Sequence, residues 1–236
     1  ALDAVDENGT VLIRAGNYTE KVWINRSVRL VGEQEGAVRF VVDEPDVTMI
    51  MVNTSYVRIE NLTFDGSASK ERDMGKIGGI RIKLIRHSNK TFQDIGIKNC
   101  VFKHLFSGFG SYERIVNLTV SECVFSNDSW AIAIVGGDGN IMISHDEFTN
   151  ASILIESGYK TNFTIHNNTL QSSRICMRAF GSYSIYIYDN RFLYGGVYLM
   201  DYTKDTRSIL NRNRFVQSKV GGVTNFVNNT MIDSRG

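Results

Sequence analysis

The stretch Ile97-Lys-Asn-Cys-Val-Phe102 returns as Val120-Ser-Glu-Cys-Val-Phe125, Ile143-Ser-His-Asp-Glu-Phe148, Ile165-His-Asn-Asn-Thr-Leu170, Ile187-Tyr-Asp-Asn-Arg-Phe192 and Leu210-Asn-Arg-Asn-Arg-Phe215. An earlier copy is Ile59-Glu-Asn-Leu-Thr-Phe64. The closing aromatic or leucine falls at 64, 102, 125, 148, 170, 192 and 215, so after a first gap of 38 the intervals are 23, 23, 22, 22 and 23. That period is too short for a helix-pair repeat and matches one coil of a β-solenoid.

Alternation within each copy names the strand. Val57/Ile59, Ile95/Ile97, Leu118/Val120, Ile141/Ile143, Phe163/Ile165 and Ile185/Ile187 put an apolar side chain at every second position. Period two sends these to one face, into the bore, and the residues between them to solvent. A second apolar pair follows each closing residue, as at Ile132/Ile134, Ile153/Ile155, Ile175/Met177 and Val197/Leu199. One coil cannot bury its own apolar face, so stacking must do it. The fold expected is all-β, a right-handed parallel β-helix of about ten coils of 22–23 residues, as a single domain over 1–236. One proline among 236 residues suits a chain made of paired strands. Residues 66–79 read as a protruding loop off that scaffold, a candidate site wall or a surface insertion.

One column is polar. Two positions before each closing residue stand Cys100, Cys123, Asp146, Asn168, Asn190 and Asn213. Asn168, Asn190 and Asn213 predict an asparagine ladder, each amide bonding to the next coil at a tight turn. Cys100 and Cys123 read as stacked thiols in that column, and Cys176 as a small buried hydrophobe.

Charge excludes one class of partner. With 26 basic and 25 acidic residues the net charge is +1, which gives no electrostatic case for nucleic acid. No apolar run approaches the roughly 18 residues of a membrane span, and no signal peptide is evident, so an exported protein would be represented by a mature form or a fragment. Twelve Asn-x-Ser/Thr sequons occur, at Asn8, Asn17, Asn25, Asn53, Asn61, Asn89, Asn117, Asn127, Asn150, Asn162, Asn167 and Asn228. About three would be expected by chance. Part of the excess is structural, because turns select Asn and strands select Thr. The remainder points to N-glycosylation and an extracellular or cell-surface location.

The segment Gly9-Thr-Val-Leu-Ile-Arg-Ala-Gly-Asn-Tyr-Thr-Glu20, with Val22-Trp-Ile-Asn25 and Val28-Arg-Leu-Val-Gly-Glu33, resembles the first coil of the pectin-lyase-like superfamily. The shared element is a Gly-x-Tyr-x-Glu turn, found in pectin methylesterases and in parallel β-helix repeat proteins of cell surfaces. The resemblance implies an N-terminal cap helix, of which residues 1–7 would be the remnant. It does not bring the superfamily's catalytic signatures. There is no Asp-Asp or Gly-His-Gly as in polygalacturonases, Arg81-Ile-Lys83 stands without its companions, and Asp65 and Asp94 lack the methylesterase context.

Three sets of residues remain as candidates. Glu156, Arg178 and Asp201 are spaced by 22 and 23, which predicts stacking on one outer face. Such a set would hold Ca²⁺ and a proton-withdrawing Arg in a lyase, or form a charge ladder across strands. Otherwise no cofactor is expected. Tyr186 and Tyr188 point outward from one strand, with Tyr198 and Tyr202 on the next face, an aromatic surface able to stack on sugar rings. Ordinary strand propensity also explains those tyrosines. The histidines His87, His104, His145 and His166 share no ligand spacing, the rings of His145 and His166 are expected to diverge, and no metal site is expected. The leading reading is a non-enzymatic module of a cell-surface glycoprotein, a scaffold, adhesin or unit that self-associates through its solenoid ends. The alternative is a carbohydrate-active enzyme of the polysaccharide lyase type, or a glycan-binding module.

Overall fold

A computed structural model describes residues 2–42, 44, 46–67, 77–82, 90–157, 160–181, 183–201, 206–222 and 225–232. Among the described residues all strand pairings are parallel, and the chain winds through three sheets in turn, of ten, ten and nine strands. That makes nine complete three-strand coils and two strands of a tenth, slightly fewer full coils than the ten expected. The closing Phe sits in a separate three-residue strand of its own, such as Val101–Lys103 or Arg191–Leu193, which the alternation does not announce. The alternating strand belongs to the first sheet, the closing Phe to the second, and pairs such as Ile153/Ile155 to the third.

Corners between sheets are single left-handed residues. After first-sheet strands the corner is Asn61, Asn99, Glu122, His145, Asn167, Asp189, Arg212 or Asn228, each with φ between 51° and 61°. After second-sheet strands it is His104, Asn127, Asn150, Ser172, Tyr194 or Gln217. A left-handed residue with a Cβ costs roughly 1–2 kcal/mol, least for Asn, which is why Asn recurs here. Its N–H then bonds to a carbonyl of the following coil, as Asn99 N does to Ser121 O at 3.0 Å and Asp189 N to Asn211 O at 3.2 Å.

Inside, like stacks on like. Tyr18, Phe40, Phe64, Phe102, Phe125 and Phe148 form a continuous column with ring centroids 4.8–5.6 Å apart. Leu170 interrupts it, and Phe192 and Phe215 resume at 4.6 Å. The Gly-x-Tyr-x-Glu turn thus supplies the first ring of that column, from the strand Gly16–Tyr18. At the N-terminal end Leu2–Ala4 form one 3-10 turn, and Leu2 and Val5 pack against the core.

The polar column is a hydrogen-bonded ladder. Asn168, Asn190 and Asn213 each accept or donate across coils at 2.8–3.0 Å, and Asn229 extends the series. Cys100 and Cys123 are free thiols in the same column, each 3.3 Å from the carbonyl two residues back, Lys98 O or Ser121 O, and 3.7 or 3.9 Å from a carbonyl of the coil below, Ile59 O or Ile97 O. Cys176 departs from expectation: it lies on the outer face of the third sheet, between Leu154 and Tyr198, and is only half-buried. Of residues 66–79, positions 68–76 lie outside the described residues. No helix among the described residues is long and apolar enough to cross a membrane.

Candidate functional site

The strands Thr161–His166, Tyr183–Tyr188 and Thr206–Asn211 lie side by side in the first sheet. Ile165, Ile187 and Leu210 face the bore, so period two turns Thr164, Tyr186 and Ile209 outward in one row and His166, Tyr188 and Asn211 in a second. The corner residues Asn167, Asp189 and Arg212 form a third row beside them. A groove of about 240 Å³ opens there, lined by Tyr186, Tyr188, Ile209, Asn211 and Arg212. That is below the roughly 300–1,000 Å³ of closed small-molecule pockets and suits one ring of a longer chain.

The faces of Tyr188 are already occupied. Its ring stacks on His166 at 4.9 Å and 3°, and the Arg212 guanidinium lies 5.9 Å from its centroid on the coil above. What it offers the groove is its edge and hydroxyl. Arg212 forks onto Asp189 through Nε at 2.8 Å and Nη2 at 2.6 Å. Of its five N–H groups, those on Nη1 and one on Nη2 stay available. The hydrogen bond from Arg212, opposed by slight burial, holds Asp189 below the usual carboxylate range. Asn211 lines the groove, with its Oδ1 buried behind the wall and without a partner among the described residues. Burial, then the charge of His145, lowers the His166 pKa from 6.5, so the ring under Tyr188 is neutral at pH 7.

The His145 and His166 rings do not diverge. They meet edge to face at 5.5 Å, and Asn167 Nδ2 lies 3.3 and 3.0 Å from a nitrogen of each. His145 sits at a left-handed corner, which swings its ring back over the neighbouring coil. No group of three or more His, Cys, Asp or Glu able to hold a metal occurs among the described residues.

The second candidate set is reduced to a pair. Glu156 and Arg178 are opposed in the third sheet and joined at 2.5 Å. Asp201 stands opposite Ala179, and Arg178 opposite Met200, so Asp201 is one residue out of register with the pair. Tyr198 is on the third sheet, half-buried beside Cys176, on a different face from Tyr186 and Tyr188. Tyr202 and His87 lie outside the described residues.

A second polar cluster had no place in the sequence reading. Asp65, fully buried on the second sheet, contacts Arg39, takes Lys103 Nζ at 3.1 Å and the Ser67 N–H at 2.9 Å, and lies 3.7 Å from His104 Nδ1. Burial alone would raise its pKa, but the hydrogen bonds from Ser67, Arg39 and Lys103 outweigh it and hold the carboxyl well below its ordinary 3.8. Saturated in this way, Asp65 anchors the base of the 66–79 segment. Its spacing was the available signal: Asp65 and Lys103 each follow a stacked Phe by one residue.

With three parallel sheets, left-handed corners and a stacked aromatic column, the architecture can be compared with known proteins. Its fold is the pectin-lyase-like right-handed parallel β-helix. The mannuronan C-5 epimerase AlgE4 A-module of Azotobacter vinelandii superposes with a TM-score of 0.52 over 96% of this chain and 87% of that one, at 12% identity. The PL6 family alginate lyase AlyGC superposes with a TM-score of 0.61 over 98% of this chain, at 14% identity. The β-helix spans 38% of that lyase's length. No family model and no curated protein matches the chain. At these identities the likeness is one of fold.

Where the sequons fall on this β-helix accounts for many of them. Asn8, Asn61, Asn117, Asn127, Asn150, Asn167 and Asn228 are at left-handed positions. Asn53, Asn61, Asn117, Asn150 and Asn162 spend their amide nitrogens on neighbouring coils, at 3.0–3.4 Å. Asn89 lies outside the described residues.

Proposed function

We propose that this β-helix is an extracellular polysaccharide-binding module, and that the groove of Tyr186, Tyr188, Asn211 and Arg212 takes one ring of an acidic glycan. The observation that carries the reading is the groove itself, which Tyr186, Tyr188 and Asn211 line together with the Arg212 guanidinium and its N–H groups beyond the Asp189 fork. Hydroxyl-rich rings need such alternating donors and acceptors, and a uronate carboxylate matches the free side of the Arg212 fork. The charge around the groove supports an anionic ligand: residues 160–222 hold nine basic and three acidic residues. Two proteins of like fold act on mannuronan and alginate by their names, which supports the same class of ligand here.

The test is affinity electrophoresis of the purified chain through gels containing alginate, polygalacturonate or neutral dextran. Retardation by an acidic gel is expected, about tenfold weaker for Arg212→Gln and roughly three- to tenfold weaker for Tyr188→Phe, which keeps the ring stack. Equal retardation of both variants, or none in any acidic gel, would overturn the proposal. Ultraviolet-absorbing unsaturated product in the same mixtures would add turnover to binding.

A further inference from the structure

Two buried carboxyls occupy places where neighbouring coils put hydrogen-bond donors. The first is Asp146, in the column that also holds Cys123, Asn168, Asn190 and Asn213. In this column a side-chain oxygen accepts the N–H of the member one coil below, Asp146 Oδ1 taking Cys123 N at 2.7 Å. The other side-chain atom gives a hydrogen to a strand carbonyl of the coil below. Asn168 Nδ2 donates to Ile143 O at 3.0 Å, Asn190 Nδ2 to Ile165 O at 2.9 Å and Asn213 Nδ2 to Ile187 O at 2.8 Å. The Cys123 thiol lies 3.3 Å from Ser121 O and 3.9 Å from Ile97 O of the same row. Val120 is the register partner of Ile143, so its carbonyl is the position equivalent to Ile143 O for Asp146. Asp146 Oδ2 is buried and has no partner among the described residues.

The second is Asp128, at the corner between the second and third sheets. Positions 128, 173 and 218 are 45 residues, two coils, apart. Ser173 Oγ accepts Ala151 N at 3.0 Å and donates to Gln171 O at 2.8 Å. Ser218 Oγ accepts Gly195 N at 3.2 Å and donates to Val216 O at 2.8 Å. Asp128 Oδ1 accepts Leu105 N at 2.8 Å, and its buried Oδ2 is again without a partner. The equivalent carbonyl two residues back is that of Ser126.

We propose that Asp146 and Asp128 are neutral carboxylic acids near neutral pH, each donating its Oδ2 hydrogen to a main-chain carbonyl, so that these two coils close with protons aboard. An ionised carboxylate is acceptor-only and would face that carbonyl with a second lone pair, whereas the protonated acid does what Asn and Ser do elsewhere in the columns. Burial pushes both carboxyls up, to about 8 in each case, against the lowering effect of the N–H groups they accept. Around Asp146 the titratable neighbours are Glu122 and Cys123 on the coil below and His145 beside it in the chain; Glu122 raises it further. Around Asp128 they are Lys103 and His104 on the coil below, both turned toward Asp65.

The sign follows from linkage. Unfolded, both groups titrate near 3.8; folded, they hold their protons to about 8. Folding therefore takes up two protons between these values, and the stability they contribute is lost as pH rises through the folded value. His166 has the opposite sign but acts at and below its ordinary 6.5, and the thiols of Cys123 and Cys176, raised by burial from their ordinary 9, act only as pH approaches that value, so pH 7 to 8 isolates the two acids.

The test is urea unfolding of wild type and of the Asp146→Asn/Asp128→Ser double variant across that range, with proton release measured calorimetrically in buffers of different ionisation enthalpy. The wild-type folding constant should fall by up to about a hundredfold per pH unit near pH 7, tapering toward 8. About two protons should be released on unfolding at pH 7. The double variant, with donors at every pH, should lose the slope. A flat wild-type profile, release of less than one proton, or an unchanged slope in the variant would overturn the proposal. Proton release by wild type alone decides the matter if the variant does not fold.

Discussion

Asp65 and Asp189 show how two paired carboxylates differ in consequence. Asp65 is fully buried among Arg39, Lys103 and Ser67, whereas the Asp189–Arg212 fork faces solvent. Removing one partner of a buried pair strands the other, so Asp65→Asn should cost about 3 kcal/mol in urea unfolding. Asp189→Asn should cost less than about 1 kcal/mol. Both carboxyls lie below their ordinary 3.8, so the stability they contribute is present above that value and is lost as pH falls through the folded one. An acid titration followed by circular dichroism should show a transition below pH 4 that Asp65→Asn shifts and Asp189→Asn barely moves. At this scale Tyr186 and Tyr188 were legible because period two alone sends them outward. Arg212 was not, because a left-handed corner lies off the strand alternation. Asp201 misled because coils vary in length: the third sheet advances by 22 from Arg178 to Met200, while the first advances by 23 from Ile187 to Leu210. The added residue enters after the strand, where spacing cannot locate it.

Among elements, the asparagine ladder and the aromatic column are the parts the sequence exposes most openly, because stacking copies one residue type up a column. Asn190 serves three neighbours, accepting Asn168 N and donating to Ile165 O and Tyr188 O, at 2.9–3.0 Å. Its replacement by Ala takes the partner from the buried Asn168 N–H and a donor from the Ile165 carbonyl, while Tyr188 O keeps the Asn167 N–H, and should cost about 3 kcal/mol. Asn229→Ala, in the partly exposed last rung, should cost about 1 kcal/mol, and hydrogen exchange at Asn168 and Asn213 N–H should rise only in the appropriate variant. The second sheet was hidden for a physical reason. Apart from the four-residue Val38–Val41, its strands are three residues long, too short to show an alternation that could be read.

For the molecule as a whole, charge is balanced in sum and segregated in space. Residues 1–65 carry 11 acidic and 6 basic groups, whereas 160–222 carry three and nine. A net charge of +1 conceals that asymmetry, because composition averages over the axis. Binding of an acidic glycan to the later coils should therefore weaken several-fold between 50 and 500 mM salt, as screening contracts to a few ångströms. Any neutral glycan bound should be indifferent, and electrophoresis at the two salts reads both.

The regular coil also sets how such a rod answers to force. Each coil is held only by the one before it, so a pull on the last strand loads its ladder one rung at a time rather than all together. Peeling should release first the 16-residue coil between Phe215 and Met231, then near-equal steps of 22 to 24 residues, about 75 Å of contour each, interrupted by one of 38 residues, about 130 Å, where the coil closed by Phe64 gives way to that closed by Phe102. In an optical trap the sequence repeat would then be read off directly as a ruler of extensions.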